Sequence, residues 1–339
     1  NEQLEFICRN YQIRELWSVI NSCISGYLIK ASYSKLNGDR ITKFYSINNR
    51  QTHINIDESA YIEIRELDKS TFQVDLVYMI DEEELVTIKK KYNSDKEIPK
   101  LIIRETNNYL SIKHPLIPKF YGTTKQNNYI VSEFINGDTL SNIKTFNFSN
   151  EEKYAIIFQI VSIFKYIHKN NFIYRDLKPD NVMIDQNKTA VLIDFDRMIS
   201  EEEKKKRKET TIDFETIYQP IEIYDINYTN KCDVFSIGKM IYFIMNEKTP
   251  SRSWSSDDSF EGHSQIKKIY EKCIQDNYEE RPSLSKLYES LCDFIINQNI
   301  ILNYISSNDQ FNLGMKCIKY DKYLESIHYL TLAASQNHS

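Results

Sequence analysis

Tyr174-Arg175-Asp176-Leu177-Lys178-Pro179-Asp180-Asn181, followed eighteen residues after Asp176 by Asp194-Phe195-Asp196, is the stretch on which the reading of this 339-residue chain turns. It gathers a carboxylate, a lysine two residues on, a carboxamide and a second carboxylate into a short span. The sequence on either side follows two different periods. Upstream, from about Tyr61, apolar residues fall as Tyr61, Ile62, Ile64 and Leu67, then Phe72, Val74, Leu76, Val77 and Tyr78, then Leu85, Val86 and Ile88. With the turn-like Asp81-Glu82-Glu83-Glu84 between the last two runs, this spacing predicts three successive antiparallel strands. A helix near 97–112 follows, then the breakers His114-Pro115 and Pro118, and two more strand runs ending in Tyr129-Ile130-Val131. After Gly137 the helical period takes over, first over 150–169, where Ser149 and Asn150 are cap candidates ahead of Glu151-Glu152. Strands first and helices second predict an α+β arrangement of two lobes.

Composition narrows the function classes. Apolar residues make up 41% and charged residues 27%, with 24 Tyr and 17 Phe, which suits a packed core and excludes disorder as the main theme. Lys and Arg total 43 against 48 Asp and Glu, a net charge of -5, which argues against nucleic acid as a partner. No apolar run approaches the roughly 18 residues needed to cross a bilayer, and residues 1–30 do not read as a secretion signal, so a soluble, cytoplasmic protein is expected. Six scattered cysteines without a C-x-x-C pair are expected to be reduced and mostly buried.

The quoted residues carry a specific chemistry. Phosphoryl transfer needs one carboxylate to orient the attacking hydroxyl, with a second carboxylate and an amide oxygen to hold Mg²⁺ on the phosphates. Tyr174 to Asn181 resembles the H-R-D-L-x-x-x-N catalytic loop of eukaryotic protein kinases with Tyr for His, and Asp194-Phe195-Asp196 resembles their D-F-G. The resemblance covers about residues 60–297. It implies a bilobal kinase fold that binds ATP and Mg²⁺, with Asp176 as the catalytic carboxylate, Lys178 as a γ-phosphate contact of the Ser/Thr type, and Asn181 and Asp194 as metal ligands. Val86-Thr87-Ile88-Lys89 resembles V-A-I-K, so Lys89 and Glu105 are the implied catalytic ion pair. Tyr129 to Leu140 resembles the last N-lobe strand and the hinge. Ser132 is then the implied gatekeeper, Glu133 to Ile135 the adenine-binding backbone, and Met183 the adenine floor. Tyr218-Gln219-Pro220-Ile221-Glu222 is similar to A-P-E, Asp233 to Gly238 to D-V-W-S-x-G, and Arg281-Pro282 to the late C-lobe arginine, which implies a structural ion pair Glu222–Arg281.

Departures from the family pattern bear on activity. Asp68, Ser70 and Gln73 take the three glycine places of G-x-G-x-x-G, which removes close backbone approach to phosphates and adds a negative charge. Asp196 replaces the D-F-G glycine with a residue that tolerates left-handed geometry better than most but stiffens the hinge. The resemblance therefore implies a protein serine/threonine kinase acting on protein substrates, with a pseudokinase scaffold as the alternative. The run Glu201-Glu202-Glu203-Lys204-Lys205-Lys206-Arg207-Lys208-Glu209 is expected to be a solvated, mobile loop within the activation segment. Thr210 and Thr211 are phosphosite candidates there, with Arg175 as the receiver of the phosphate.

The ends read less sharply. Leu4, Ile7, Cys8, Tyr11, Ile13, Leu16, Trp17, Ile20 and Ile24 suit an amphipathic helix, while 27–58, with its Asn37-Gly38-Asp39 turn, stays unassigned. The expected organisation is an N-terminal segment 1–58, a kinase-like domain 59–297 (N-lobe about 59–134, C-lobe about 138–297) and a repeat over 303–339. Phe311 to His338 resembles a Sel1-like repeat, a helical hairpin of the tetratricopeptide type suited to protein partners. Its inner face is expected to hold Leu313, Ile318, Leu324, Ile327, Leu330 and Ala334, with Gly314 and Ala333-Ala334 allowing close approach. A solitary repeat leaves an apolar face uncovered, so further copies are expected past Ser339.

Overall fold

The computed structural model describes residues 55–56, 61–69, 72–79, 84–91, 98–125, 129–206, 216–225, 228–251, 259–302, 305–320 and 322–336. These form two compact units, one of the described residues up to 111 with 118–136, the other of 112–117 with the described residues from 137 on. The amphipathic pattern over 1–25, Ser70, Thr210 and Thr211 lie outside the described residues.

The first unit is a six-stranded sheet. β1 (Asn55–Ile56), β2 (Tyr61–Lys69), β3 (Phe72–Met79), β4 (Glu84–Lys91), β5 (Phe120–Thr124) and β6 (Ile130–Glu133) lie in the order β1-β5-β6-β4-β3-β2. β2, β3 and β4 form the antiparallel meander that the alternating Val, Ile and Tyr residues predict, in register Val74↔Lys89 and Val77↔Val86. β1 comes from the stretch left unassigned by sequence and pairs parallel with β5, a two-residue strand too short to carry a period. Ile56, Tyr61, Val77, Met79, Val86, Ile88, Tyr121 and Val131 form the core of this sheet. Helix α1 (Ile98–Ser111) packs beside β5, burying Ile102, Glu105, Asn108 and Tyr109, a stripe at helical spacing with a carboxylate in it.

The second unit is mainly helical. β7 (Gly137–Thr139) pairs with β9 (Val182–Asp185), which pairs with β10 (Ala190–Leu192), and β8 (Phe172–Ile173) pairs with β11 (Ile199–Ser200). Among them run α2 (Asn150–Lys169), α3 (Glu201–Lys206), α4 (Lys231–Asn246), α5 (Ser264–Cys273), α6 (Leu284–Asn297), α7 (Ser307–Lys319) and α8 (Tyr323–Gln336). Ser149 is the cap of α2, accepting from the Glu152 N–H while the Glu152 carboxylate accepts from the Ser149 N–H. Helices α2 and α4 are buried nearly all round, with α2 packed against α4, α6, β8 and β10. Cys232, Cys273, Cys292 and Cys317 are buried free thiols, and burial pushes Cys273 and Cys292 up to about 12, so they are poor nucleophiles.

Gly137 begins β7 where the backbone of β9 leaves no room, since a Cβ there would lie 1.9 Å from the Ile184 carbonyl oxygen. Gly137→Ala is therefore expected to destabilise the protein by about 2 kcal/mol or more, read as a fall in thermal midpoint.

Two expectations are corrected. Glu201–Lys206 is an exposed helical turn instead of a loop, with Glu202 and Lys206 paired at 2.7 Å across i, i+4. Three acids at its N-terminus and three bases at its C-terminus match the helix dipole, a local preference that outweighs the solvation of the charge run. In the C-terminal hairpin, Leu313 and Gly314 face inward, but Ile318, Leu324, Ile327 and Ala334 are exposed. The inward stripe is Asp309, Gln310, Leu313, Gly314 and Cys317 on α7 with Ser326, Tyr329 and Ala333 on α8. Asp309 sets that rotation. Its carboxylate accepts from Ser162 Oγ at 2.7 Å, Ser306 Oγ at 2.6 Å and the Tyr288 hydroxyl at 2.8 Å, and this turns Phe311, Met315 and Ile318 away from the core.

Candidate active site

In the first unit, strand β4 carries Lys89 and helix α1 carries Glu105, and their side chains meet at 2.8 Å. The Glu105 side chain is 2% exposed, so the ion pair lies in a low-dielectric setting that strengthens it. Ser132, in β6 opposite Thr87 of β4, shares a 2.9 Å hydroxyl contact with it and accepts a second bond at its carbonyl. Glu133 ends β6, accepting from the Lys119 N–H at its carboxylate and donating its own N–H to the Lys119 carbonyl. Ile135 is buried just before the unit boundary at 136/137. In β3, Gln73 donates to the Asp75 carboxylate at 2.9 Å, so one of the three glycine places is committed to a strand side-chain contact.

In the second unit, the loop from Tyr174 to Asn181 is built around a buried anchor whose motif the sequence shows but whose contact with the loop it does not. Asp233 of α4, fully buried, accepts the N–H groups of Tyr174 at 2.9 Å and Arg175 at 2.8 Å, and His168 approaches it at 2.8 Å. Arg175 has φ 71°, a left-handed conformation costly for a non-glycine residue, which this carboxylate holds in place. Asp233→Asn is expected to lower turnover about tenfold with nucleotide affinity little changed, because one amide oxygen replaces two acceptors. The Tyr174 hydroxyl donates to the Ile193 carbonyl at 2.5 Å, tying the loop to the residue before Asp194.

Asp176 is 5% exposed, and its contacts converge on one oxygen. Lys178 Nζ at 3.1 Å, Asn181 Nδ2 at 3.0 Å and Arg197 Nε at 3.7 Å all address Oδ2. Burial pushes the Asp176 carboxyl up, Lys178 and Arg197 pull it down, and Asp194 pushes it up again. Asn181 commits both amide hydrogens to Asp176, the other to its carbonyl at 2.8 Å, so its amide oxygen is the atom it presents to a cation. Asp194 has φ 62° and its Oδ1 lies 3.4 Å from the Asp196 N–H. The strained residue is thus Asp194, and Asp196 does not take a positive φ, so the lost glycine leaves no strained side chain there. Met183 lies half-buried in β9 opposite Val191 and Thr139.

Arg175 is less open to a phosphate than its position beside Asp176 implies. Its Nε and Nη2 donate to the Arg197 carbonyl at 2.8 and 2.5 Å, and Nη1 to the Tyr228 hydroxyl at 3.3 Å. Gln219 Nε2 donates to the Arg175 carbonyl at 2.9 Å. Farther along, Glu222 and Arg281 form the expected pair, bidentate, with Arg281 2% exposed and also donating to the carbonyls of Gln275 at 2.7 Å and Lys231 at 3.1 Å. Arg197 was legible only as the residue after a motif and Asp233 only as the first residue of one, since nothing in one sequence says which acid a loop will fold against.

Two hard oxygen donors, the Asp194 carboxylate and the Asn181 amide oxygen, suit Mg²⁺, which takes few protein ligands and completes its shell with phosphate and water. Among the described residues no group of three or more His, Cys, Asp or Glu side chains is arranged to hold a metal ion. Among the same residues no helix is long and apolar enough to cross a membrane.

The lone-oxygen grip on Asp176, the Lys89–Glu105 pair and the sheet-then-helices order define a class, and the sequence profile of the protein kinase domain matches residues 70–302, so the chain belongs to the protein kinase domain family. Its relatives include a probable serine/threonine-protein kinase of Dictyostelium discoideum, 27% identical over 61% of this chain and 38% of that protein. Calcium-dependent protein kinase 5 of Plasmodium berghei is 23% identical over 84% of this chain and 55% of its own length. An Aurora kinase of Saccharomyces cerevisiae is 26% identical over 57% of this chain and 51% of its own. The chain thus spans between 38% and 55% of these relatives.

Proposed function

We propose that this chain is a protein serine/threonine kinase that transfers the γ-phosphoryl group of ATP to Ser or Thr hydroxyls of a protein substrate. The observation that carries the reading is the arrangement at Asp176, where Lys178 and Asn181 donate to Oδ2 with the Arg197 cation near it and Oδ1 is left to accept from a substrate hydroxyl. Oriented in this way, the carboxylate positions the hydroxyl for attack and takes its proton as the new P–O bond forms and the γ-phosphorus bond to the bridging oxygen breaks, releasing ADP. Lys178 beside it supplies a cation for the γ-phosphate, and Lys89, held by Glu105, supplies one for the α- and β-phosphates. Asp194 and Asn181 would hold Mg²⁺, which offsets charge on the phosphates when bound. Glu222 and Arg281 anchor the segment that precedes α4, and Thr210 or Thr211 is the proposed phosphosite within that segment. A phosphate there must compete with the Arg197 carbonyl and Tyr228 for Arg175. The C-terminal hairpin is the proposed seat for protein partners.

Transfer of label from γ-labelled ATP with Mg²⁺ to a Ser/Thr-rich protein tests the reading. Transfer that disappears in Asp176→Asn supports it. A chain that binds Mg·ATP yet shows no Asp176-dependent transfer overturns it and leaves the pseudokinase scaffold. Asp194→Asn is expected to weaken Mg·ATP binding and turnover together, by about tenfold or more each, measured by titration calorimetry and steady-state kinetics, because it removes a charged metal ligand.

A further inference from the structure

The hairpin of α7 and α8 is seated on its unit by the three hydroxyls at Asp309, by the Tyr329 hydroxyl, which accepts from the Leu302 N–H at 3.0 Å and donates to the Ile300 carbonyl at 2.9 Å, and by Lys316 between Glu289 and Asp293. These contacts use its polar residues on the inward side. What it turns outward is almost uncharged. The exposed positions of α7 are Asn308, Phe311, Met315, Ile318 and Lys319, and those described on α8 are Leu324, Ile327, Thr331 and Ala334, so Lys319 is the one charge among nine. In a chain with 27% charged residues this is an unusual solvent face. Of nine exposed large apolar side chains among the described residues, seven fall between 301 and 327: Ile301, Phe311, Met315, Ile318, Tyr320, Leu324 and Ile327. Exposures reach 82% at Leu324 and 62% at Ile327. Exposed apolar stripes on two paired helices mark an interaction site.

We propose that this face binds the same face of a second copy of the chain, making a two-fold dimer through α7 and α8. Two features select a second copy as the occupant. A two-fold interface must be complementary to itself, and a face with almost no charge meets its own image without like-charge repulsion. The area also suffices: with side chains of about 200 Å² each, the five large apolar residues exposed on α7 and α8 present roughly 550 Å² per copy, so a pair buries roughly 1,100 Å², just above the roughly 1,000 Å² that a specific interface needs. The Asp309 network makes the face a fixed platform, so dimerisation through it holds two kinase domains at a defined separation.

Sedimentation velocity of the 339-residue chain between about 1 and 100 µM tests this, with Leu324→Glu/Ile327→Glu as the interface variant. Both side chains are exposed, so the variant should keep the parent's circular dichroism and thermal midpoint at low concentration. The expected result is a dimer in the parent and at least a 100-fold weaker self-association in the variant. Asp309→Ala, which frees the platform, should also weaken association. A parent that stays monomeric at 100 µM, a dimer that the double variant leaves intact, or crosslinks from the stripe to residues 1–54 of the same molecule would each overturn the proposal.

Discussion

Asp176→Asn should cut turnover by about 10² or more while nucleotide affinity stays within about twofold. Asn matches the shape of Asp, so Lys178, Asn181 and Arg197 keep a neighbour at the Oδ2 position, but the group can no longer take a proton from the substrate hydroxyl. Nucleotide contacts do not run through this carboxylate in the proposed mechanism, which is why binding and chemistry separate. Steady-state kinetics with a fluorescent-nucleotide titration on the same preparation distinguishes the two effects. An equal loss of both would show that Asn had collapsed the loop, and the buried Asn181 bond to the Asp176 carbonyl argues against such a collapse.

Arg281→Ala should be the most destabilising single change at the proposed site, by about 3–5 kcal/mol. The guanidinium is 2% exposed and serves Glu222 and the carbonyls of Gln275 and Lys231, so its removal leaves a carboxylate and backbone oxygens unpaired in a buried place. For a unit of this size that corresponds to a fall in thermal midpoint of roughly 10 °C. Replacing Glu222 by Gln should cost less, since the remaining donors of Arg281 stay satisfied by carbonyls. The Phe235 ring, 4.9 Å from the Arg281 guanidinium, adds a cation–π contact that Lys cannot reproduce in the same geometry, so Arg281→Lys should recover only part of the loss.

Much of the fold could be read from local pattern. Alternation over 61–88 depends only on which side of a strand each residue faces, and the meander has that register. Helix α2 begins at Ser149 because a short-range capping box, contained within four residues, fixes it. The residues Asp176, Lys178, Asn181 and Asp194 were legible because motif spacing is itself a local property.

What the chain alone left open is what depends on partners distant in sequence. Asp233 meets the loop across 59 residues, and no period or spacing announces that. Gly137 tolerates no side chain because of a carbonyl 47 residues away at Ile184. The outward face of the hairpin was misassigned for the same reason. Apolar residues on α7 fall on two opposite sides, Leu313 and Cys317 on one and Phe311, Met315 and Ile318 on the other, and three hydroxyls on α2, α6 and the preceding loop decide which side is buried by burying Asp309. Local sequence thus determined most of the elements and which candidate site residues they carry, whereas the tertiary structure decided their rotation and anchoring, because buried polar groups must find partners wherever the fold provides them.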